Sequence, residues 1–195
     1  VEDAMKRGVV LFALVALCAG CGGHKKVTFI GQALPGPPVA PAFTLHDDTG
    51  RAVSLASQRG HYVVVTFLYT QCRDVCPIIA GNLNTAMKTP TGQAAGLTVL
   101  AVSVDPKGDT PAAVRAYVKA RGLVPRFHFL IGTHAQLAPV WAHFHIGVEA
   151  GTTGVLGHSS FEFLIDPSGH ERLLYGKEVQ PGWIVSDLKS LMKES

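Results

Sequence analysis

Two cysteines and a histidine are the residues in this sequence best suited to chemistry. Cys72 and Cys76 stand four apart in Cys72-Arg73-Asp74-Val75-Cys76-Pro77. Side chains at that spacing can meet across one helical turn, with Cβ atoms about 5–6 Å apart. Such a separation lets two sulfurs hold one metal ion, and a modest backbone adjustment closes them into a disulfide. Pro77 is suited to opening a helix, so Cys76 is expected just ahead of a helix N-terminus. Free N–H groups and the helix dipole there favour its thiolate, and Arg73 adds positive charge to the same effect. Two thiolates alone under-coordinate copper or zinc. His158 is the candidate third ligand, because it follows a glycine-rich loop and directly precedes a strand beginning near Ser160. Thiolates favour Cu(I), imidazole helps to retain Cu(II), and Cu(II) outcompetes zinc at most mixed nitrogen and sulfur sites.

Other uses of the same residues fit less well. A purely structural disulfide closing so short a loop gains little chain entropy. A peroxidatic cysteine needs Ser or Thr three residues earlier, where Tyr69 and Arg73 stand. General thiol reductases use C-x-x-C opposite a cis-proline. Here the spacing is C-x-x-x-C, His158 occupies the corresponding region, and the nearest prolines are Pro139 and Pro167. A dedicated thiol–disulfide reductase, or a redox sensor, using Cys72 and Cys76 stays open. His143-Phe144-His145 falls near a helix end, where neighbouring side chains do not face one another, so a second metal site is not expected. Trp141 and Trp183 fit helix core positions, and His24 falls in a tether. Asp105, Asp109 and Asp166 have turn or helix-start explanations, while Asp74 either tunes the thiolates or faces solvent.

The elements that must position these residues alternate. Ala42–Leu45 and Ala52–Leu55 flank Asp47-Asp48-Thr49-Gly50, a hairpin signal, and Val27–Ile30 suits a short edge strand. Tyr62–Tyr69 and Leu97–Val104 are continuous apolar, β-branched runs, as in strands buried on both faces. Between them a helix is expected from Pro77 to about Met87. Thr110-Pro111 and Thr133 open two more helices, reaching about Ala120 and Phe144, with a short strand at Phe127–Ile131 between them. Gly147–Gly157 suits a loop, Phe161–Ile165 and Arg172–Tyr175 a final pair of strands, and Pro181–Met192 a closing helix. The order predicts an α/β fold: a thioredoxin-like sandwich with a central mixed sheet, an N-terminal β-hairpin and an inserted helix.

Composition narrows the function classes. Hydrophobic residues make up 47% and charged residues 16%, which excludes general disorder. The net charge of +3 is small and its basic residues scattered, which excludes nucleic acid as a partner. Met5-Lys6-Arg7 followed by the apolar run Gly8–Ala19 suits a signal peptide, since a spanning helix needs ~20 apolar residues. Leu17-Cys18-Ala19-Gly20-Cys21-Gly22 resembles a bacterial lipobox, with Cys21 the lipidated residue. The expected organisation is a signal peptide with lipobox over 1–20 and a Gly/Pro-rich tether over 21–40. A thioredoxin-like copper-binding domain then fills 41–195. Either a lipid or an uncleaved anchor puts that domain on the periplasmic side of a bacterial envelope membrane.

The stretches VVVTFLYTQCRDVCP, VSVDPKGDTPAAVRAYV and GHSSFEFLIDPSG together resemble the Sco/SenC family, the copper-binding assembly proteins of cytochrome c oxidase. The resemblance runs from about Pro41 to the C-terminus. It implies a metallochaperone that binds one copper ion, Cu(I) or Cu(II), through Cys72, Cys76 and His158. Its implied partners are an upstream copper donor and the copper-bearing oxidase subunit, whose copper A site receives the metal. Arg73 stands where the family often has proline, and Gly157 where it commonly has aspartate beside the histidine. Neither departure removes a ligand.

Overall fold

The computed structural model describes residues 27–149 and 157–194, leaving out the side chain of His158. The expected signal peptide, Cys21 and the start of the tether lie outside the described residues. In chain order the elements are β1 (Gln32–Ala33), β2 (Thr44–His46), β3 (Ala52–Ser54), β4 (Val63–Leu68), α1 (Val75–Lys88), α2 (Pro90–Ala94), β5 (Thr98–Ser103) and α3 (Pro111–Ala120). There follow β6 (Phe127–Leu130), α4 (His134–His143), β7 (Val148–Glu149), β8 (Gly157–His158), β9 (Phe161–Ile165), β10 (Glu171–Gly176) and α5 (Pro181–Leu191).

Every residue of β4 and β5 is buried, as their unbroken apolar runs require of strands covered on both faces. They form the centre of a six-stranded sheet ordered β1-β10-β9-β4-β5-β6. β4, β5 and β6 run parallel, while β9, β10 and β1 add antiparallel strands on the other side. Helices cover both faces. The rings of Phe67 and Phe163 meet Phe144, at the end of α4, on one face, with centroids 5.5 and 4.8 Å away. On the other face Tyr117 of α3 meets Phe129 edge-on, Tyr175 bonds Asp187 of α5, and α1 packs beside α5. Local chemistry starts the helices where expected. Thr110 accepts from the Ala113 N–H, and Thr133 and Gln136 form a reciprocal capping box. The sheet is the mixed thioredoxin-like sheet anticipated, and β2–β3 is the expected hairpin, bridged to the central sheet through His46 and Ile131.

Four details differ from expectation. The edge strand is Gln32–Ala33, not Val27–Ile30, because the N–H groups of Ile30 and Gly31 are taken by the Asp187 carboxylate at 2.9 and 2.8 Å. α1 begins at Val75, two residues before Pro77. First-turn N–H groups have no intrahelical acceptor, so proline is tolerated at the third position as well as the first. The sequence 90–94 forms the unanticipated helix α2, capped by Thr89 with Pro90 in its first turn. The two ends of the expected 147–157 loop pair as β7 and β8.

Candidate metal centre

The chain leaves the sheet after Leu68, passes through Tyr69-Thr70-Gln71 and enters α1 at Val75. Asp109 fixes this passage from beneath. One of its carboxylate oxygens accepts the Thr70 N–H at 2.8 Å and the other accepts the Ser103 hydroxyl at 2.6 Å. The Ser103 carbonyl in turn accepts the Trp141 indole N–H at 3.0 Å. The end of β5, α4 and the cysteine loop are thereby joined in one frame. Burial pushes the Asp109 carboxyl above its ordinary range, although these hydrogen bonds pull the other way.

Within this frame Cys72 and Cys76 are free thiols, 6% and 0% exposed. The structure brings them together: the Cys76 N–H donates to the Cys72 sulfur at 3.4 Å. The Tyr69 phenol also hydrogen-bonds Cys72. Burial first, and then the two neighbouring sulfurs, push that phenol up to about 12, so it remains a neutral donor at physiological pH. The expectation that Cys76 is the favoured thiolate is overturned. Burial pushes its thiol well above the ordinary value, and its hydrogen bond with Cys72 acts in the same direction. The helix-start N–H expected to serve Cys76 is shared with the Cys72 sulfur, and what backbone donors lower at Cys76 is less than burial raises. The pair is therefore asymmetric, with a deeply buried thiol behind a sulfur that receives donors and borders an open pocket. Asp74 holds the N-cap position of α1 but its carboxylate caps no N–H.

His158 pairs through its backbone with Val148 in the β7–β8 ribbon, and its side chain lies outside the described residues. Because β9 runs antiparallel to β4, pairing Val65 with Phe163 and Val63 with Ile165, the segment entering β9 lies at a particular end of the sheet. It is the end from which β4 leads to Cys72. Among the described residues no group of three or more His, Cys, Asp and Glu side chains gathers as a metal cluster. The His143-Phe144-His145 run forms no second site. His143 bonds the buried Glu171 carboxylate at 2.9 Å, Phe144 is core, and His145 is exposed in a left-handed conformation with φ 53°.

Three residues around the site, and one deeper in the sheet, escaped the sequence reading as functional groups. Tyr69 was hidden in an apolar run, and Asp109 was credited only with a turn or helix start. Arg121, half-buried at the end of α3, lies over the Tyr117 ring and borders the same pocket as Cys72. Glu162 is 0% exposed on β9, beside Thr66 of β4. The Thr66 hydroxyl approaches one of its oxygens at 3.5 Å, and the other has no hydrogen-bond partner. Burial, with the charge of Glu178 adding to it, pushes the Glu162 carboxyl up to about 8.

Two buried free cysteines, one in the loop after a central parallel strand and one in the first turn of the helix that follows, sit beside a mixed sheet of thioredoxin-like class. The match of the SCO1/SenC family profile to residues 31–193 goes further, and the chain belongs to that family. It is similar to the SCO1 protein homolog of Bacillus subtilis, 29% identical over 181 residues, which cover 89% of this chain and 90% of the relative. An SCO2-like protein of Rickettsia typhi is 28% identical over 137 residues, 67% of this chain and 66% of the relative. The chain thus spans just under two thirds of that relative's length. Among solved structures, apo Sco1 from Thermus thermophilus is 27% identical, with a TM-score of 0.73, over 86% of this chain and 99% of the other. ScoI of Bradyrhizobium japonicum, solved with copper bound, is 26% identical, with a TM-score of 0.67, over 78% and 98%.

Proposed function

We propose that this chain is an envelope-anchored copper metallochaperone. It carries one copper ion on Cys72, Cys76 and His158 and hands it to the copper A site of a cytochrome c oxidase subunit. The observation that carries this reading is the buried, unpaired cysteine pair at the end of the sheet where the segment holding His158 enters β9. Two sulfurs and an imidazole suit copper in both oxidation states. A relative of similar fold was solved with copper bound, and the family resemblance implies oxidase assembly. Lipid on Cys21 would hold the domain on the periplasmic side of the membrane. Among the described residues no helix is long and apolar enough to cross a membrane.

Copper titration of the purified protein tests the ligand set. One copper per chain is expected, with loss of binding in the Cys72→Ser/Cys76→Ser variant and weakened binding in His158→Ala. Unchanged stoichiometry in the double cysteine variant overturns the reading.

A second reading is favoured by the asymmetry of the pair. A buried, protonated Cys76 hydrogen-bonded to a Cys72 beside an open pocket also suits thiol–disulfide exchange on oxidase-subunit cysteines, or redox sensing. Full function of His158→Ala, together with cysteine-dependent disulfide reduction, would favour it over copper delivery.

A further inference from the structure

We propose that the pocket beside Cys72 docks an acidic segment of a partner protein, one that brings its own cysteines to the pair. The proposal rests on the reading of Cys72 and Cys76 as a transfer site and adds the kind of surface that the site recognises. The pocket is open, with a volume of about 480 Å³, and is lined by Thr70, Gln71, Cys72, Arg73, Pro77 and Arg121. Two of these residues carry guanidinium groups and none carries a carboxylate.

The two arginines differ from three others among the described residues. Arg51, Arg115 and Arg172 each meet a carboxylate, at 3.1, 3.1 and 3.3 Å. Arg73 and Arg121 meet none among the described residues. Arg121 is also held in place: its guanidinium carbon lies 3.6 Å from the centroid of the Tyr117 ring, and its Nε–H is buried without an acceptor. A guanidinium fixed by stacking keeps its fork of donors preorganised, and a carboxylate is the group that fork matches best. The nearby acid Asp105 forms no ion pair with either arginine among the described residues; its Oδ1 accepts the N–H groups of Lys107 and Gly108 within its own turn.

Size and lining favour a protein segment over a small anion. The volume exceeds what one carboxylate fills, and Pro77 adds an apolar wall. Ile78, next to Pro77 on the same helical turn, is 57% exposed and adds apolar surface there. A partner segment bearing Asp or Glu beside its cysteines would place carboxylates on Arg73 and Arg121 and its sulfurs over Cys72. Like charge would repel a basic segment.

The test titrates the reduced, copper-free protein with two labelled synthetic peptides, followed by fluorescence anisotropy. Both carry a cysteine pair; one is flanked by Asp and Glu, the other by Lys. The acidic peptide is expected to bind at least about tenfold more tightly at low salt. That advantage should shrink as ionic strength rises from about 0.05 M to about 0.5 M. Arg73→Gln and Arg121→Gln should each weaken acidic-peptide binding roughly three- to fivefold, the range of a partly exposed ion pair. Arg121→Lys, which keeps the charge but not the stacked fork, should recover only part of it. Arg73 is exposed, so its variant reports even if Arg121→Gln disturbs packing on Tyr117.

Equal affinity for the two peptides, or indifference of acidic-peptide binding to both glutamine changes, overturns the proposal. So does arginine-dependent binding to phosphatidylglycerol vesicles that exceeds binding to the acidic peptide, since it assigns the pocket to a membrane surface. Copper stoichiometry, measured on the same preparations, separates this proposal from the functional reading. Peptide binding without copper binding sinks the metallochaperone and keeps the docking site; copper binding without peptide discrimination does the reverse.

Discussion

Replacing Glu162 by Gln should change the pH dependence of stability more than any other single substitution in the sheet. Glu162 is wholly buried, one oxygen unpartnered, and its carboxyl is pushed up to about 8, chiefly by burial. In the unfolded chain the same group titrates near 4.5. Between those pH values the folded protein holds a proton that the unfolded chain has lost. The folded state binds more protons, so stability is greatest below the unfolded value and falls as pH rises toward the folded one. The loss is about 1.4 kcal/mol per pH unit, or about 3 kcal/mol by pH 7. Gln keeps the shape but cannot ionise. Its amide adds an offset that does not vary with pH, so the slope carries the information. Urea unfolding followed by tryptophan fluorescence, on the reduced and metal-free protein from about pH 4.5 to about pH 8, compares the two chains. The stability difference, variant minus wild type, should grow by about 3 kcal/mol between pH 4.5 and pH 7. Parallel curves would show that Glu162 ionises in place without penalty and would refute the reasoning.

Three further outcomes are expected. Asp109→Ala should cost on the order of 2–4 kcal/mol in urea unfolding, because it orphans the Thr70 N–H and the Ser103 hydroxyl. Asp109→Asn, able still to accept from Thr70, should recover part of that loss, and both variants should bind copper less tightly. Iodoacetamide should alkylate Cys72 at least about tenfold faster than Cys76 at pH 7–8, read by mass spectrometry of the digested protein. Cys76 is fully buried and its thiol is pushed up, whereas Cys72 borders the pocket. Asp187→Ala, which removes the acceptor for the N–H groups of Ile30 and Gly31 and for the Tyr175 hydroxyl, should cost about 2–4 kcal/mol. It should leave copper stoichiometry unchanged, since its partners lie away from the cysteine loop.

Features with a local cause were legible in the sequence. Unbroken β-branched runs marked β4 and β5 because strands covered on both faces need no polar alternation. Thr110 and Thr133 marked helix starts because a cap acts on its own first turn. The cysteine spacing announced a pair of sulfurs for the same reason. Features with distant causes were not legible. The shift of β1 depends on Asp187, which lies 157 positions beyond Ile30. The anchor of the cysteine loop, Asp109, lies 39 residues from Thr70. In FEFLI, alternation points Glu162 outward, yet helices cover both faces of the sheet, so the outward side is another core. The start of α1 was misplaced because proline fits the third helical position as well as the first. From that error followed the assignment of the helix-start N–H to Cys76 alone.

X-ray absorption at the copper edge of the Cu(I)-loaded protein, wild type beside His158→Ala, tests the central claim most directly. The account predicts two sulfur scatterers and one nitrogen in the wild type, with the nitrogen shell lost or replaced in the variant. A copper environment that is the same in both proteins, or that contains fewer than two sulfurs in the wild type, would contradict it.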